Sequence, residues 1–155
     1  MSFQRCVRCN QQYALEQVVY YCGCGGLIEI CHTHIDLTPS KHLSGVWRFK
    51  KSVLNVEDSE IISHPECFTR LYERDFLTKL AGVDKLYFKH EGENPTGSFK
   101  DRGMTVAVTQ AKRLGQKILA CASTGNTSAS LAAYGAQAGL KTRVFLPEGK
   151  VAASK

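Results

Sequence analysis

From residue 84 onward the chain alternates between two periodicities, and this alternation limits its possible folds more than any other feature. "DKLYFK" (84–89), "KILACAS" (117–123) and "KTRVFLP" (141–147) are short apolar runs of strand length, while "DRGMTVAVTQAKRLG" (101–115) and "NTSASLAAYGAQAGL" (126–140) between them are helical. Strands joined by helices of this length imply an α/β fold, β-α-β-α-β, with a parallel sheet and right-handed crossovers. In the first helix Met104, Ala107, Val108, Ala111 and Leu114 make one apolar stripe, with Lys112 and Arg113 off it. Gly115 and Gly139 stand where the two helices should stop, as C-terminal caps. The second helix is rich in Ala and Ser and poor in charge, which predicts that other elements enclose it.

In such sheets ligands bind where strand ends lead into helix N-termini, and two loops qualify: "EGENPTGSFKD" (91–101) and "ASTGN" (122–126). The second offers Ser123, Thr124, Asn126, Thr127 and Ser128 around Gly125 at a helix start, an anion site suited to a carboxylate or phosphate. The same Asn126, Thr127 and Ser128 would also serve as ordinary helix caps. The loop is not a P-loop and lacks the spacing of a dinucleotide turn. The first loop begins with Asn94-Pro95-Thr96-Gly97, in which Pro95 fixes one backbone angle and Gly97 permits a positive one. It delivers Ser98, Phe99 and Lys100 to the mouth of the next helix. A lysine there opposes the helix dipole, and the same positive environment would favour the neutral amine that Schiff-base chemistry needs. An exposed surface lysine is the other reading, since most lysines are exposed.

"ENPTGSFKDRG" followed about twenty residues later by "ASTGNTSASLAAYGAQAG" resembles the pyridoxal-phosphate enzymes of the tryptophan synthase β type, fold type II, and among them most resembles the threonine synthases. "VWRFKK" and the terminal "VFLPEGKVAASK" are also similar to segments of that family, so the resemblance covers almost the whole chain. It implies that Lys100 holds pyridoxal phosphate as an internal aldimine and shuttles protons at the substrate's α and β carbons. It implies that Asn126 hydrogen-bonds the cofactor's 3′-hydroxyl, and that Ser123, Thr124 and Thr127 belong to the loop receiving the substrate's α-carboxylate. The implied activity is a lyase converting O-phosphohomoserine and water to threonine and phosphate, with the cofactor as electron sink and the protein orienting and moving protons. The segment "HPECFTRLY" (64–72) departs from the family's usual Gly-Glu-Gly-x-Thr-Pro-Leu, keeping Thr69 and Leu71, and this departure bears on substrate identity.

Five of the seven cysteines, Cys6, Cys9, Cys22, Cys24 and Cys31, fall in the first 36 residues. Cys6-x-x-Cys9 and Cys22-x-Cys24, with Gly25 and Gly26 after the second pair, look like a zinc ribbon, in which four thiolates close a tetrahedral structural site. A metal-free ribbon is the alternative, since C-x-C is shorter than the usual second knuckle. In "LIEICHTHI" a strand is expected, with Cys31 inside and His32 and His34 facing water. Cys67 and Cys121 are expected to be buried thiols.

The chain is thus expected to divide into a ribbon-like segment (1–36), a connector and start of the enzyme fold (37–83), and an incomplete α/β cofactor-binding unit (84–155). Fold type II enzymes carry their cofactor-phosphate loop further along the chain, so the sequence reads as an amino-terminal fragment, inactive alone, and as a possible homodimer at full length. The net charge of +6 is spread without a basic stripe, which argues against nucleic acid and leaves a small phosphorylated amino acid as the expected partner. No apolar run reaches membrane length and no leader is seen, so a cytoplasmic protein is expected. The competing readings are another fold type II lyase, such as cysteate synthase or a threonine dehydratase, and a non-catalytic zinc-ribbon binding module.

Overall fold

A computed structural model describes residues 2–41, 43 and 45–149; the end of the "VFLPEGKVAASK" segment, from Lys150 on, lies outside the described residues. The amino-terminal segment is a three-stranded antiparallel sheet in the order β2-β1-β3, with β1 (Ser2–Cys6), β2 (Gln12–Tyr13) and β3 (Ile28–His32). Gln4, buried at the centre of β1, donates through Nε2 to Ala14 O and Gln17 O, each at 2.6 Å, and so fastens the loop after β2 to the sheet. Cys31 is half-buried on β3, His34 is exposed, and His32 is held by Ser2 Oγ at 2.8 Å.

Residues 43–62 do more than connect. A 3-10 turn at Gly45–Phe49 runs into α1 (Lys50–Val53) and presents Trp47, which is 1% exposed and packs with Leu54 and Val56 against Val106. Trp47, Leu54 and Val56 are single anchors in short turns, buried without repeating at helical or strand spacing.

The parallel sheet is smaller than the periodicity implies. β6 (Ile118–Ala122) and β7 (Lys141–Phe145) pair in parallel, Ile118 opposite Lys141 through Ala122 opposite Phe145, with α4 (Asn126–Ala138) as their crossover. The first expected strand, β5 (Tyr87–Lys89), instead pairs antiparallel with β4 (Leu71–Glu73), the two being joined through the short helix α2 (Asp75–Ala81). Its nearest partner in sequence wins because Glu93, just past β5, locks the pair. Arg70 N donates to its carboxylate at 2.6 Å, Arg70 Nε at 2.7 Å and the Tyr72 hydroxyl at 3.0 Å.

α3 (Lys100–Arg113) also departs from the expected stripe. Its buried face carries Asp101, Thr105, Val108 and Thr109, whereas Ala107 is exposed and Met104, Ala111 and Leu114 are half-buried. The threonines qualify for burial because each is hydrogen-bonded. Trp47 Nε1 donates to Thr105 Oγ1 at 2.8 Å, Thr105 Oγ1 donates to Ile62 O at 2.6 Å, and Ile62 N donates to Thr109 Oγ1 at 3.0 Å. Val108 joins the main core of Ile62, Leu131, Tyr134 and Ala138, so α3 and α4 pack together. Gly115 and Gly139 take φ of +71° past the helix ends, as their placement predicts. α4 is enclosed on one face only, through Ser130, Leu131, Tyr134, Gly135 and Ala138, while Ala129, Ala132 and Ala136 face outward.

Candidate active site

Lys100 is the first residue of α3 and is half-buried. Its Nζ lies 4.3 Å from the centroid of the Phe99 ring, and no ion pair engages it among the described residues. An aromatic face holds an ammonium by its quadrupole without neutralising it, so the amine stays available to another group.

The loop that delivers this lysine is fixed from within. Asn94, buried, closes the turn by accepting Gly97 N through its carbonyl at 2.8 Å, and Gly97 takes φ +73° as the sequence requires. The Asn94 side chain accepts Cys67 N at 2.9 Å and donates to Glu91 O and Glu91 Oε2, both at 2.9 Å. Arg102, two residues past Lys100, grips Glu91 with two bonds of 2.8 Å, a bidentate pair that holds the Glu91 carboxyl below the usual carboxylate range. Asp101, wholly buried, accepts Thr96 N at 2.8 Å, Thr96 Oγ1 at 2.5 Å and Ser130 Oγ at 2.6 Å. Asp101, Thr96 and Ser130 escaped the sequence reading, although an acidic residue in a first helical turn is favoured by the dipole and could have flagged Asp101.

Asn126 is the first residue of α4, exposed, with no side-chain hydrogen bond among the described residues. The N-cap position is Gly125, which bonds Ser123 Oγ through its N–H at 3.3 Å, and Ser128 Oγ donates to Gly125 O at 2.6 Å. Asn126 and Thr127 therefore do not cap the helix; with Ser123 and Thr124 they flank a helix start that has no side-chain cap among the described residues. Asp101 near the start of α3 touches Ser130 near the start of α4, so Lys100 and Asn126 stand at the same end of two neighbouring helices.

The neighbouring segment 64–69 is tightly turned. Cys67 adopts φ +77°, a left-handed conformation that costs about 1–2 kcal/mol for a residue with a Cβ. Buried Glu66 accepts the Tyr134 hydroxyl at 2.8 Å and Ser63 Oγ at 2.9 Å, and burial together with that carboxylate pushes the Tyr134 hydroxyl far up. Thr69 Oγ1 accepts Arg102 at 3.4 Å, and Thr69 O accepts Lys89 Nζ. Cys67 and Cys121 are half-buried rather than enclosed, because the turn and the edge of β6 leave one side of each open; burial pushes the Cys67 thiol up.

In the ribbon, the sulfurs of Cys6, Cys9, Cys22 and Cys24 lie within 4.8 Å of one another, with Cys6 to Cys24 and Cys9 to Cys22 both at 3.5 Å. A tetrahedron with bonds of about 2.3 Å has sulfur–sulfur edges of about 3.8 Å, so the donor set fits zinc. The short C-x-C is accommodated because Cys22 N bonds Gly26 O at 3.0 Å and Gly25 takes φ +79°. The backbone amide of Cys24 and the Tyr13 hydroxyl, 3.0 Å from Cys22 Sγ, lower the Cys22 thiol to about 6. Against the pull of the Gln11 amide, the adjacent Cys24 and Cys22 sulfurs raise Cys9 to about 12. Cys31, His32 and His34 stand outside this cluster.

The family described as pyridoxal-phosphate dependent enzyme matches residues 62–155, a span that includes Lys100 and Asn126. The chain is 48% identical over 159 residues to a threonine synthase of Methanocaldococcus jannaschii, covering 98% of this chain and 39% of that protein. It is also 48% identical over 161 residues to a threonine synthase of Methanosarcina acetivorans, covering 100% of this chain and 39% of that protein. A threonine synthase of Mycobacterium bovis is 61% identical over 79 residues, 51% of this chain and 22% of its own length. The chain thus spans about two fifths of the length of the first two relatives, 39% in each. With a matched region extending from Ile62 in the main core through both helices and both candidate loops, the chain belongs to the pyridoxal-phosphate dependent enzyme family.

Proposed function

We propose that this chain supplies the lysine-bearing part of a threonine synthase, acting on O-phosphohomoserine and water to give threonine and phosphate. The carrying observation is the half-buried Lys100, free of ion pairs among the described residues, at the same end of two packed helices as the start of α4, which has no side-chain cap among those residues. Pyridoxal phosphate, when bound, supplies the electron sink that stabilises negative charge on substrate carbons. Lys100 Nζ would hold it and would take and return protons at the substrate's α and β carbons. Asn126 would orient it through a hydrogen bond to its 3′-oxygen. The N–H groups opening α4, with the hydroxyls of Ser123, Thr124 and Thr127, suit the substrate carboxylate, because the helix dipole favours negative charge there. Identity at 48% of aligned positions to two threonine synthases supports this substrate.

The test is to treat the complete gene product containing residues 1–155 with pyridoxal phosphate, reduce it with borohydride and map the modified peptide, then assay phosphate release from O-phosphohomoserine. Label on Lys100 and phosphate release with threonine as product are expected. Label elsewhere, or turnover only of phosphoserine or threonine, would sink the assignment. Cys6, Cys9, Cys22 and Cys24 we assign as ligands of a structural zinc, on the mutual proximity of their sulfurs. Purified protein should contain about one zinc per chain, measured by elemental analysis, and Cys22→Ser should lose it; zinc-free protein with an intact ribbon would refute the site.

A further inference from the structure

We propose that Asp101 is a positioning residue that sets Lys100 relative to Asn126, an inference that rests on the functional reading above. Asp101 is 0% exposed, and no lysine or arginine pairs with its carboxylate among the described residues. A buried carboxylate without a cation is costly unless its oxygens are satisfied by donors. Here three donors converge: the Thr96 amide, the Thr96 hydroxyl and the Ser130 hydroxyl. The Thr96 amide can only donate, whereas the two hydroxyls donate to a carboxylate but could accept from an amide, so an amide in its place keeps the contacts only if both hydroxyls turn round.

The partners' locations give the carboxylate its role. Thr96 lies in the turn that delivers Lys100, and Ser130 lies one helical turn beyond Asn126 on α4. One side chain therefore ties the lysine-bearing loop to the helix carrying the cofactor-facing asparagine. Arg102 to Glu91 and Asn94 to Cys67 hold the loop from its other side but reach neither Ser130 nor α4. Asp101 thus carries a direct side-chain hydrogen bond from the lysine-bearing loop to α4. Reaction geometry tolerates little displacement, so loosening this link should reach the chemistry without emptying the site.

The experiment uses the complete gene product and three variants: Asp101→Asn, which removes the charge and either sets an N–H against the Thr96 amide or makes both hydroxyls turn and accept; Ser130→Ala, which severs the α4 side; and Thr96→Val, which removes the loop hydroxyl. Each is followed by the rate of borohydride-trapped pyridoxal phosphate on Lys100, the absorption maximum of the bound cofactor, and thermal unfolding to correct for the folded fraction. Asp101→Asn is expected to slow trapping about ten- to a hundredfold and shift the absorption maximum, with smaller losses in the other two. Asp101→Asn combined with Ser130→Ala should be no slower than Asp101→Asn alone, because both act through one link. Trapping within twofold of the parent for all variants, losses that multiply independently, or losses that only follow the folded fraction would overturn the proposal. If Asp101→Asn does not fold, Thr96→Val and Ser130→Ala decide by the same criteria. A parent that fails to label at Lys100 overturns the functional reading and this proposal with it, whereas a labelled parent with unaffected variants overturns the proposal alone.

Discussion

Gly26 shows how a single residue sets the limits of the cysteine cluster. A Cβ added there would lie 2.5 Å from Cys6 Sγ, 2.8 Å from Arg8 Cβ and 3.3 Å from Cys24 Sγ. Two of these atoms are proposed metal ligands and the third belongs to a backbone-anchored knuckle, so relief requires moving the sulfurs apart. Gly26→Ala should therefore weaken zinc binding by more than about tenfold and cost about 1–3 kcal/mol of ribbon stability; competition with a chelator measures the first and urea unfolding the second. The same residue-level logic explains why glycine was visible in the sequence as a turn signal while its contact with Cys6 was not. The chain order of "CGCGG" fixes a tight turn, but only β1 and its neighbours bring Cys6 over it.

At the scale of elements, the antiparallel β4–β5 pair depends on one carboxylate. The Arg70 amide, then the Tyr72 hydroxyl, His90 and the Arg70 guanidinium hold Glu93 at about 2, below its ordinary 4.5. Because the folded value is depressed, the stability that Glu93 contributes is present above about 4.5 and is lost as pH falls toward about 2. Glu93→Gln should lower the thermal midpoint at pH 7, and the gap between parent and variant should close across that acid window; a gap unchanged down to pH 2 would show that the clip does not stabilise the hairpin. The periodicity of "DKLYFK" announced a strand, and the structure has one. Its partner was set by residues on both sides, Arg70, Tyr72 and Glu93, whose long side chains carry no periodic signal.

For the molecule as a whole, surface area is the informative quantity. The chain exposes 10430 Å², whereas a compact monomer of 17.1 kDa exposes about 7,800 Å². Part of the excess is apolar: Ile118, Val144, Phe145 and Leu146 on and beside the parallel strands, and Tyr87 and Phe88 on β5, are exposed. Residues 1–155 should bind a hydrophobic dye in the native buffer, and Phe145→Ser should reduce that binding; dye binding that is absent or unchanged by the substitution would show that these side chains do not form an accessible apolar face. No helix among the described residues is long and apolar enough to cross a membrane.

The sequence by itself determined the local features: the two long helices and their glycine ends, the parallel pair with its crossover, the turn before Lys100, and the four cysteines with ligand spacing. These follow from short-range rules, since helix periodicity, φ limits and knuckle spacing are all set by neighbours within a few residues. Tertiary structure alone decided which face of α3 is buried, that the stretch around Trp47 belongs to the core, and that β5 pairs with β4. It also decided that Asp101 joins the lysine loop to Ser130 across 29 positions of sequence. A threonine or an aspartate reads as polar until the partners that satisfy it are known, and those partners are assembled by packing rather than by order along the chain.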